Sequence, residues 1–291
     1  MKSLIKYIVT LRNYIVFKKH DFFSKYNNSN FPIDSGADFL VSIASYPKRS
    51  HLLPAVFEAL RNQTVLPKKW ILVLSEEEWP GLKLPLYLNN LEKKGIEIIW
   101  VQNNTFAVKK LIPVVEKYPE LGVVTLDDDI IYHSNLLSEL IKGSLIYPSA
   151  IVGFVGKTMI RKGNVLNMMF REKGMADTNT PFKQVYLIGW GGIYYPSNSL
   201  ESKAFDIKSI TKIVPGRGSD LWFWAAAIAK NTQQVCLGMP TNFNLGIPIP
   251  QNIITSPKDT PGKNIMEDRF QKTIDYFGIR EKLLKELPDQ C

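Results

Sequence analysis

Cysteine and histidine are scarce in this chain. Cys236 and Cys291 are too few for a disulfide framework or a zinc cluster and read as reduced thiols of a cytosolic protein. The three histidines, at 20, 51 and 133, exclude a His-rich metal site. The turn after the first apolar run lacks the glycines of a dinucleotide fingerprint or a phosphate-binding P-loop, which argues against a nicotinamide enzyme or an ATPase. The hydrophobic stretch in residues 1–20 is broken by Lys6 and Arg12 and is too short and too charged to span a bilayer. No small-residue cleavage site follows it, as a signal peptide needs. There is no internal repeat and no interleaved basic and aromatic motif of the kind that binds nucleic acid.

What is there is ordinary globular composition, 45% hydrophobic and 22% charged over 291 residues, enough for a full core. The net charge of +9 is unevenly spread. Residues 1–30 carry Lys2, Lys6, Arg12, Lys18, Lys19 and Lys25 against Asp21 alone, a net +5, which leaves +4 for the remainder. Within residues 1–20, Leu4, Ile8, Leu11 and Ile15 share one helical stripe, with Lys2, Lys6 and Asn13 opposite. This describes a basic amphipathic helix, lying either on an anionic membrane surface or on its own domain. Residues 24–38 read as a linker, so the chain divides into a 1–38 segment and a 39–291 domain.

From Phe39 strands and helices alternate. Apolar runs at Phe39–Ala44, Trp70–Leu74, Ile96–Val101 and Gly122–Leu126 predict buried strands. Helices are predicted after a Ser50 cap, near residues 85–94, and through Val108, Leu111, Ile112 and Val115. This order implies a doubly wound, mostly parallel α/β sheet with ligands at the C-terminal ends of its strands. Further on, Ser134 caps a helix, strands are predicted at Ile151–Val155, Val165–Phe170, Gln184–Ile188 and Gln234–Leu237, and an apolar helix opens at Ser219-Asp220. Residues 240–263 hold five prolines and suggest a surface loop or lid, and a last helix runs from about Ile265 to Phe277.

The fourth strand stops at Asp127-Asp128-Asp129. Adjacent carboxylates repel, so the arrangement needs a divalent cation or nearby Lys and Arg. Strand alternation would put Asp127 and Asp129 on one face as hard oxygen ligands for Mg2+ or Mn2+; a solvated acidic turn is the plain alternative. Elsewhere each candidate also has two readings. Tyr46 suits stacking on a nucleobase and Lys48 and Arg49 suit a diphosphate, or Tyr46-Pro47 is a turn with solvated cations. Lys110 neutralises phosphate or the aspartates, or is a solvated helix charge. Gly189, Gly191 and Gly192 let the main chain approach a ligand while Trp190 packs on a sugar, or they form a tight turn. Asp220 is a helix cap, or a general base beside Trp222 and Trp224.

Ser45-Tyr46-Pro47-Lys48-Arg49, Lys110-Leu111, Thr125 to Tyr132, Gly189-Trp190-Gly191-Gly192 and Ser219-Asp220-Leu221-Trp222, in this order, resemble the GT-A-fold glycosyltransferases over about residues 39–240. The likeness is greatest to the bacterial type that builds capsule or lipopolysaccharide. The resemblance implies a Rossmann-like nucleotide-sugar-binding half (39–132), an acceptor half (133–240) and a C-terminal loop and helix (241–291). It implies donor contacts from Ser45, Tyr46, Arg49, Lys110, Asp127, Asp128, Gly191 and Gly192, acceptor contacts from Trp190 and Trp222, and an Asp-x-Asp metal site on Asp127 and Asp129 for Mn2+ or Mg2+. Only Asp220 inherits the base role, since Ser219 stands where such sequences often have a second Asp, and no His follows His133 to complete the metal. The implied reaction is inverting, metal-assisted transfer of a sugar, from UDP-sugar in first place, to a glycan or lipid-linked acceptor in bacterial surface-polysaccharide synthesis; the expected location is the cytoplasm, peripheral on the inner face of the cytoplasmic membrane if the basic helix lies on it. Two other readings stand beside it. A haloacid-dehalogenase-type phosphatase also uses Asp-x-Asp, though on its first strand and followed by Thr or Val where this chain has Ile130. A glycan-binding scaffold keeps the fold without turnover.

Overall fold

The computed structural model describes residues 2–171, 176–182, 185–250 and 263–289. In chain order the strands are β1 Phe39–Ala44, β2 Trp70–Ser75, β3 Glu97–Val101, β4 Gly122–Leu126, β5 Ile130–Tyr132, β6 Ile151–Gly153, β7 Gly156–Lys162, β8 Val165–Phe170, β9 Pro181–Phe182, β10 Val185–Leu187, β11 Ile193–Tyr195, β12 Gln234–Cys236 and β13 Gly246–Pro248. The helices are α1 Lys2–Tyr26, α2 Leu53–Leu60, α3 Leu86–Lys93, α4 Ile112–Lys117, α5 Leu136–Ile146, α6 Ile207–Ile213, α7 Ser219–Lys230, α8 Lys263–Phe277 and α9 Arg280–Glu286.

Eight of these strands build one sheet in the order β3-β2-β1-β4-β11-β6-β12-β9. The pairs β3/β2, β2/β1, β1/β4 and β6/β12 are parallel, and β11 runs antiparallel to both β4 and β6. The α/β class and the mostly parallel sheet expected from the periodicity are thus what the chain forms. Side chains alternate across the sheet as extended backbone requires. Leu40, Ile71, Val73 and Val123 enter one core with α4, α7 and α8. Phe39, Val41, Ile43, Leu72 and Val124 enter the other with α2, α3 and α5. Both faces are covered, which is why the central strands read as unbroken apolar runs.

The order of the first four strands positions the site. From β1 the chain winds outward through β2 to β3, then returns to place β4 on the other side of β1. Crossovers therefore leave in opposite directions from β1 and β4, the topology that in open α/β sheets puts a ligand crevice above the C-terminal ends of the two strands. Ile43 pairs with Leu126 there, so residues 45–49 and 127–129 emerge side by side.

Several elements differ from expectation. Helix α1 runs to Tyr26, so the linker starts later than residue 24. Ser50 lies inside a short 3-10 turn and bonds Pro47 and Tyr87, leaving α2 uncapped by it. Helix α5 starts at Leu136 after Asn135, with no side-chain cap from Ser134. The helix expected through Val108–Val115 is split into a 3-10 turn, Phe106–Lys110, and α4, because Pro113 brings no N–H and its ring clashes with the carbonyl four residues back. The 151–155 strand stops at Gly153. Part of the expected lid, residues 251–262, and Gln184 lie outside the described residues, but Gly246–Pro248 is a strand pairing with β5.

Candidate active site

The three aspartates follow β4 in a turn, not on extended backbone, so strand alternation does not govern them. Asp128 turns inward and is buried, accepting a hydrogen bond from Ser45 Oγ at 2.6 Å and an ion pair from Arg49 at 3.0 Å. Arg49 also pairs with Asp129. Asp127 leaves in its own direction and meets Lys110 Nζ at 2.8 Å. The expected face shared by Asp127 and Asp129 is therefore replaced by a split, with Asp128 and Asp129 on Arg49 and Asp127 on Lys110. Burial pushes the Asp128 carboxyl up to about 6, against the pull of Arg49 and Ser45.

Lys110 is the buried cation of the site. The helix break delivers it, since its 3-10 turn is tied to β1 by Ser42 Oγ, which donates to the Lys110 carbonyl at 2.5 Å. Its neighbour Lys109 goes elsewhere, to Glu78 and Asn104. Burial alone would lower the Lys110 ammonium, but Asp127 and Asp220 together raise it, so it stays charged.

Asp220 comes from the far half of the chain, in the first turn of α7, yet it does not cap that helix, whose N-cap Gly218 carries no side chain. Instead its carboxylate accepts the Gly189 N–H at 3.2 Å. A Cβ placed on Gly189 would stand 3.1 Å from Asp220 Oδ1 and 3.3 Å from Lys110 Nζ, which puts both groups against one bare stretch of backbone. Burial raises the Asp220 carboxyl above the ordinary aspartate value, while Lys110 and the Gly189 N–H hold the rise in check. The aromatic neighbours that feel its charge are Tyr186 and Tyr195, both held protonated by burial.

A residue with no role assigned from sequence ties these pieces together. Tyr132 Oη accepts the Asp127 N–H at 2.9 Å and donates to the Trp190 carbonyl at 3.1 Å, linking the aspartate turn to the glycine loop. On the other side, the Ile249 N–H donates to the Asp129 carbonyl at 2.8 Å, so residues 245–249 brace the turn where a surface loop was expected. Only its place six residues after the β4 strand end hinted at Tyr132; nothing in sequence hinted at Ile249.

The remaining candidates separate. Tyr46 lies over Arg49, 5.9 Å from ring centroid to guanidinium carbon, at the mouth of the crevice. Trp190 is exposed in the glycine loop, a 3-10 turn. Gly191 and Gly192 face apolar packing: a Cβ on Gly191 would strike Val155 at 2.8 Å, and Gly192, with φ of 83°, is wedged against Leu126 and Leu140. Trp222 is fully buried, stacked on Tyr276 with its Nε1 donating to the Ala204 carbonyl, so it lines no cleft and forms no wall beside Asp220. The physical reason is helix geometry, because residues two apart on α7 face different sides.

Among the described residues no three His, Cys, Asp or Glu converge as a metal cage. Asp127 and Asp129 stand on different cations, Lys110 and Arg49, and two carboxylates alone would leave most of an ion's shell to water and phosphate oxygens.

Fold and site together define an α/β protein with a charged crevice at the switch point of a mostly parallel sheet. No family model matches the chain, and no curated protein matches it by sequence. Among solved structures it is similar to a CMP:2-keto-3-deoxy-manno-octonic acid synthetase complexed with CTP, at 8% identity and TM-score 0.42, covering 70% of this chain and 90% of that one. It is also similar to residues 1–349 of S. aureus TarS, at 9% identity and TM-score 0.42, covering 82% and 71%. With UDP bound, the same TarS fragment gives 10% identity, TM-score 0.46 and coverage of 84% and 72%.

Proposed function

We propose that this protein is a GT-A-type glycosyltransferase that moves a sugar from a nucleoside-diphosphate sugar, with UDP as the first nucleotide to test, to a hydroxyl of a glycan or lipid-linked acceptor, inverting the anomeric carbon. The observation that carries the reading is the meeting of Lys110 and Asp220 at Gly189, beside the aspartate turn and Arg49. Transfer needs a base for a weakly acidic hydroxyl and positive charge for a leaving diphosphate. Asp220 supplies the first: a carboxyl raised by burial is a stronger base, and it takes the proton of the attacking hydroxyl. Lys110 and Arg49 supply the second, with Tyr46 beside Arg49 as a platform for the nucleobase and Trp190 for a sugar face. Asp127 and Asp129 would hold Mn2+ or Mg2+, which when bound adds charge neutralisation at the diphosphate. That requires Arg49 to share or release Asp129, Lys110 to share or release Asp127, and the two carboxylates to turn toward one ion.

The test is release of nucleoside diphosphate from a panel of nucleotide sugars, with Mn2+ or Mg2+ and with chelator, for wild type, Asp220→Asn and Asp129→Asn. Release from one donor, reduced at least about a hundredfold in Asp220→Asn, is expected from loss of a general base. In wild type, kcat/KM should fall as pH drops through the Asp220 carboxyl, above the ordinary aspartate range, because only the ionised form accepts a proton. Absence of both release and binding with every donor would sink the proposal, and phosphate release from simple phosphoesters would put a phosphatase in its place.

A further inference from the structure

Among the described residues, nothing covers a long apolar stripe on α1. Helix α1 touches the domain through Asn13 and Phe17, only 6% and 8% exposed, and Asn13 Nδ2 donates to the Pro248 carbonyl at 3.1 Å. On the side turned away, Leu4, Ile8, Leu11 and Ile15 are 63%, 55%, 46% and 58% exposed. At 100° per residue these four span less than a quarter turn and lie opposite Asn13 and Phe17, with Phe22 continuing the same line. Among the described residues, the stripe read from sequence as either membrane-facing or domain-facing is thus not the face that packs on the domain.

We propose that this stripe docks on an anionic lipid surface, with α1 lying in the interface plane. No described helix is long and apolar enough to cross a bilayer. Two observations select lipid over a second copy of the chain. The first is charge: Arg12, Lys18, Lys19 and Lys25 are all exposed on α1 against the single acid Asp21, so two such helices repel while an anionic surface attracts both. The second is register. The spacing 4, 8, 11, 15, 22 skips the seam position at 18, which is Lys18; in a helix pair that ammonium would enter the seam, whereas at a bilayer its four-carbon stem lets it reach the headgroups. Exposed Tyr7, Tyr14 and Tyr26 border the stripe, and such rings settle at the headgroup level. The inference stands on α1 alone and does not depend on the reaction proposed for the crevice.

The experiment is co-sedimentation of the full chain with vesicles of phosphatidylcholine alone or mixed with phosphatidylglycerol, at low and high salt, with light scattering of the protein alone. The full chain should sediment with the anionic vesicles, on the order of tenfold more than with the neutral ones, and lose that preference at high salt. Leu11→Glu/Ile15→Glu should abolish sedimentation, and Lys18→Glu/Lys19→Glu should weaken it at least severalfold. Both changes are on exposed side chains, so an unchanged thermal melt checks that the variants are folded. Equal failure to bind either vesicle would overturn the proposal. So would a dimer in light scattering that Leu11→Glu/Ile15→Glu dissolves, because the stripe would then belong to a second copy.

Discussion

At the scale of single residues, the site is a set of cations and carboxylates packed against one another, and Gly189 is a bare point among them. Its backbone N–H serves Asp220, and its missing side chain lets Lys110 and Asp220 approach the same spot. Gly189→Ala would press a methyl into contacts of 3.1 and 3.3 Å, forcing the carboxylate or the ammonium to give by a few tenths of an ångström. If the proposed transfer is right, the variant should melt close to wild type while diphosphate release falls on the order of tenfold or more, because small misplacements of reacting groups are costly. A variant with full activity would show that Asp220 and Lys110 need no such approach. The types of residue at this point were readable from sequence; their meeting was not. Asp220 looked equally like a helix cap, and what excludes that role is a hydrogen bond to a residue 31 positions away.

At the scale of elements, what the sequence makes legible follows from burial. Strands β1 to β4 are covered on both faces, so their apolar runs are unbroken and their bounds fall within a residue of the reading. Caps and breaks are less legible, since Ser50 and Ser134 suit a cap chemically but tertiary contacts start the helices elsewhere. Glu97 on β3 shows how charges join elements at the outer end of the sheet. Its carboxylate meets Lys69, the residue before β2, at 3.0 Å, Lys117 of α4 at 2.8 Å and Tyr118 Oη at 2.7 Å. Burial alone would raise this carboxyl, but the bonds from Lys117, Tyr118 and Lys69 outweigh it and the net shift is downward. A lowered folded-state value means the cluster stabilises the protein fully above the ordinary glutamate pKa of 4.5 and loses that contribution as pH falls below it. Glu97→Gln should therefore cost less than about 1 kcal/mol at neutral pH, as a partly exposed cluster does, and nothing well below pH 4.5. Denaturant melts at the two pH values measure the difference.

At the scale of the whole molecule, the crevice draws on segments that the chain visits in turn, near residues 45–49, 110, 127–129, 189 and 220, and α7 is where site and core meet. One side of α7 presents Asp220 to Lys110 and Gly189; another presents Trp222 to Tyr276 and Phe277 on α8, with ring centroids 5.2 and 4.9 Å apart. The aromatic run Leu221-Trp222-Phe223-Trp224 gave no sign of which ring serves which purpose, because every residue in it is buried. Trp222→Phe separates the two. It keeps most of the packing and removes the hydrogen bond to the Ala204 carbonyl, so unfolding stability should drop by about 1–3 kcal/mol, the cost of a buried acceptor left without its partner. A side chain that closed off from solvent does not touch an acceptor, so under the proposed transfer the acceptor KM should stay within about twofold of wild type while the melt shifts down. If the acceptor KM instead rose with the melt unchanged, Trp222 would have to reach the crevice, and α7 would have to turn, carrying Asp220 away from Lys110.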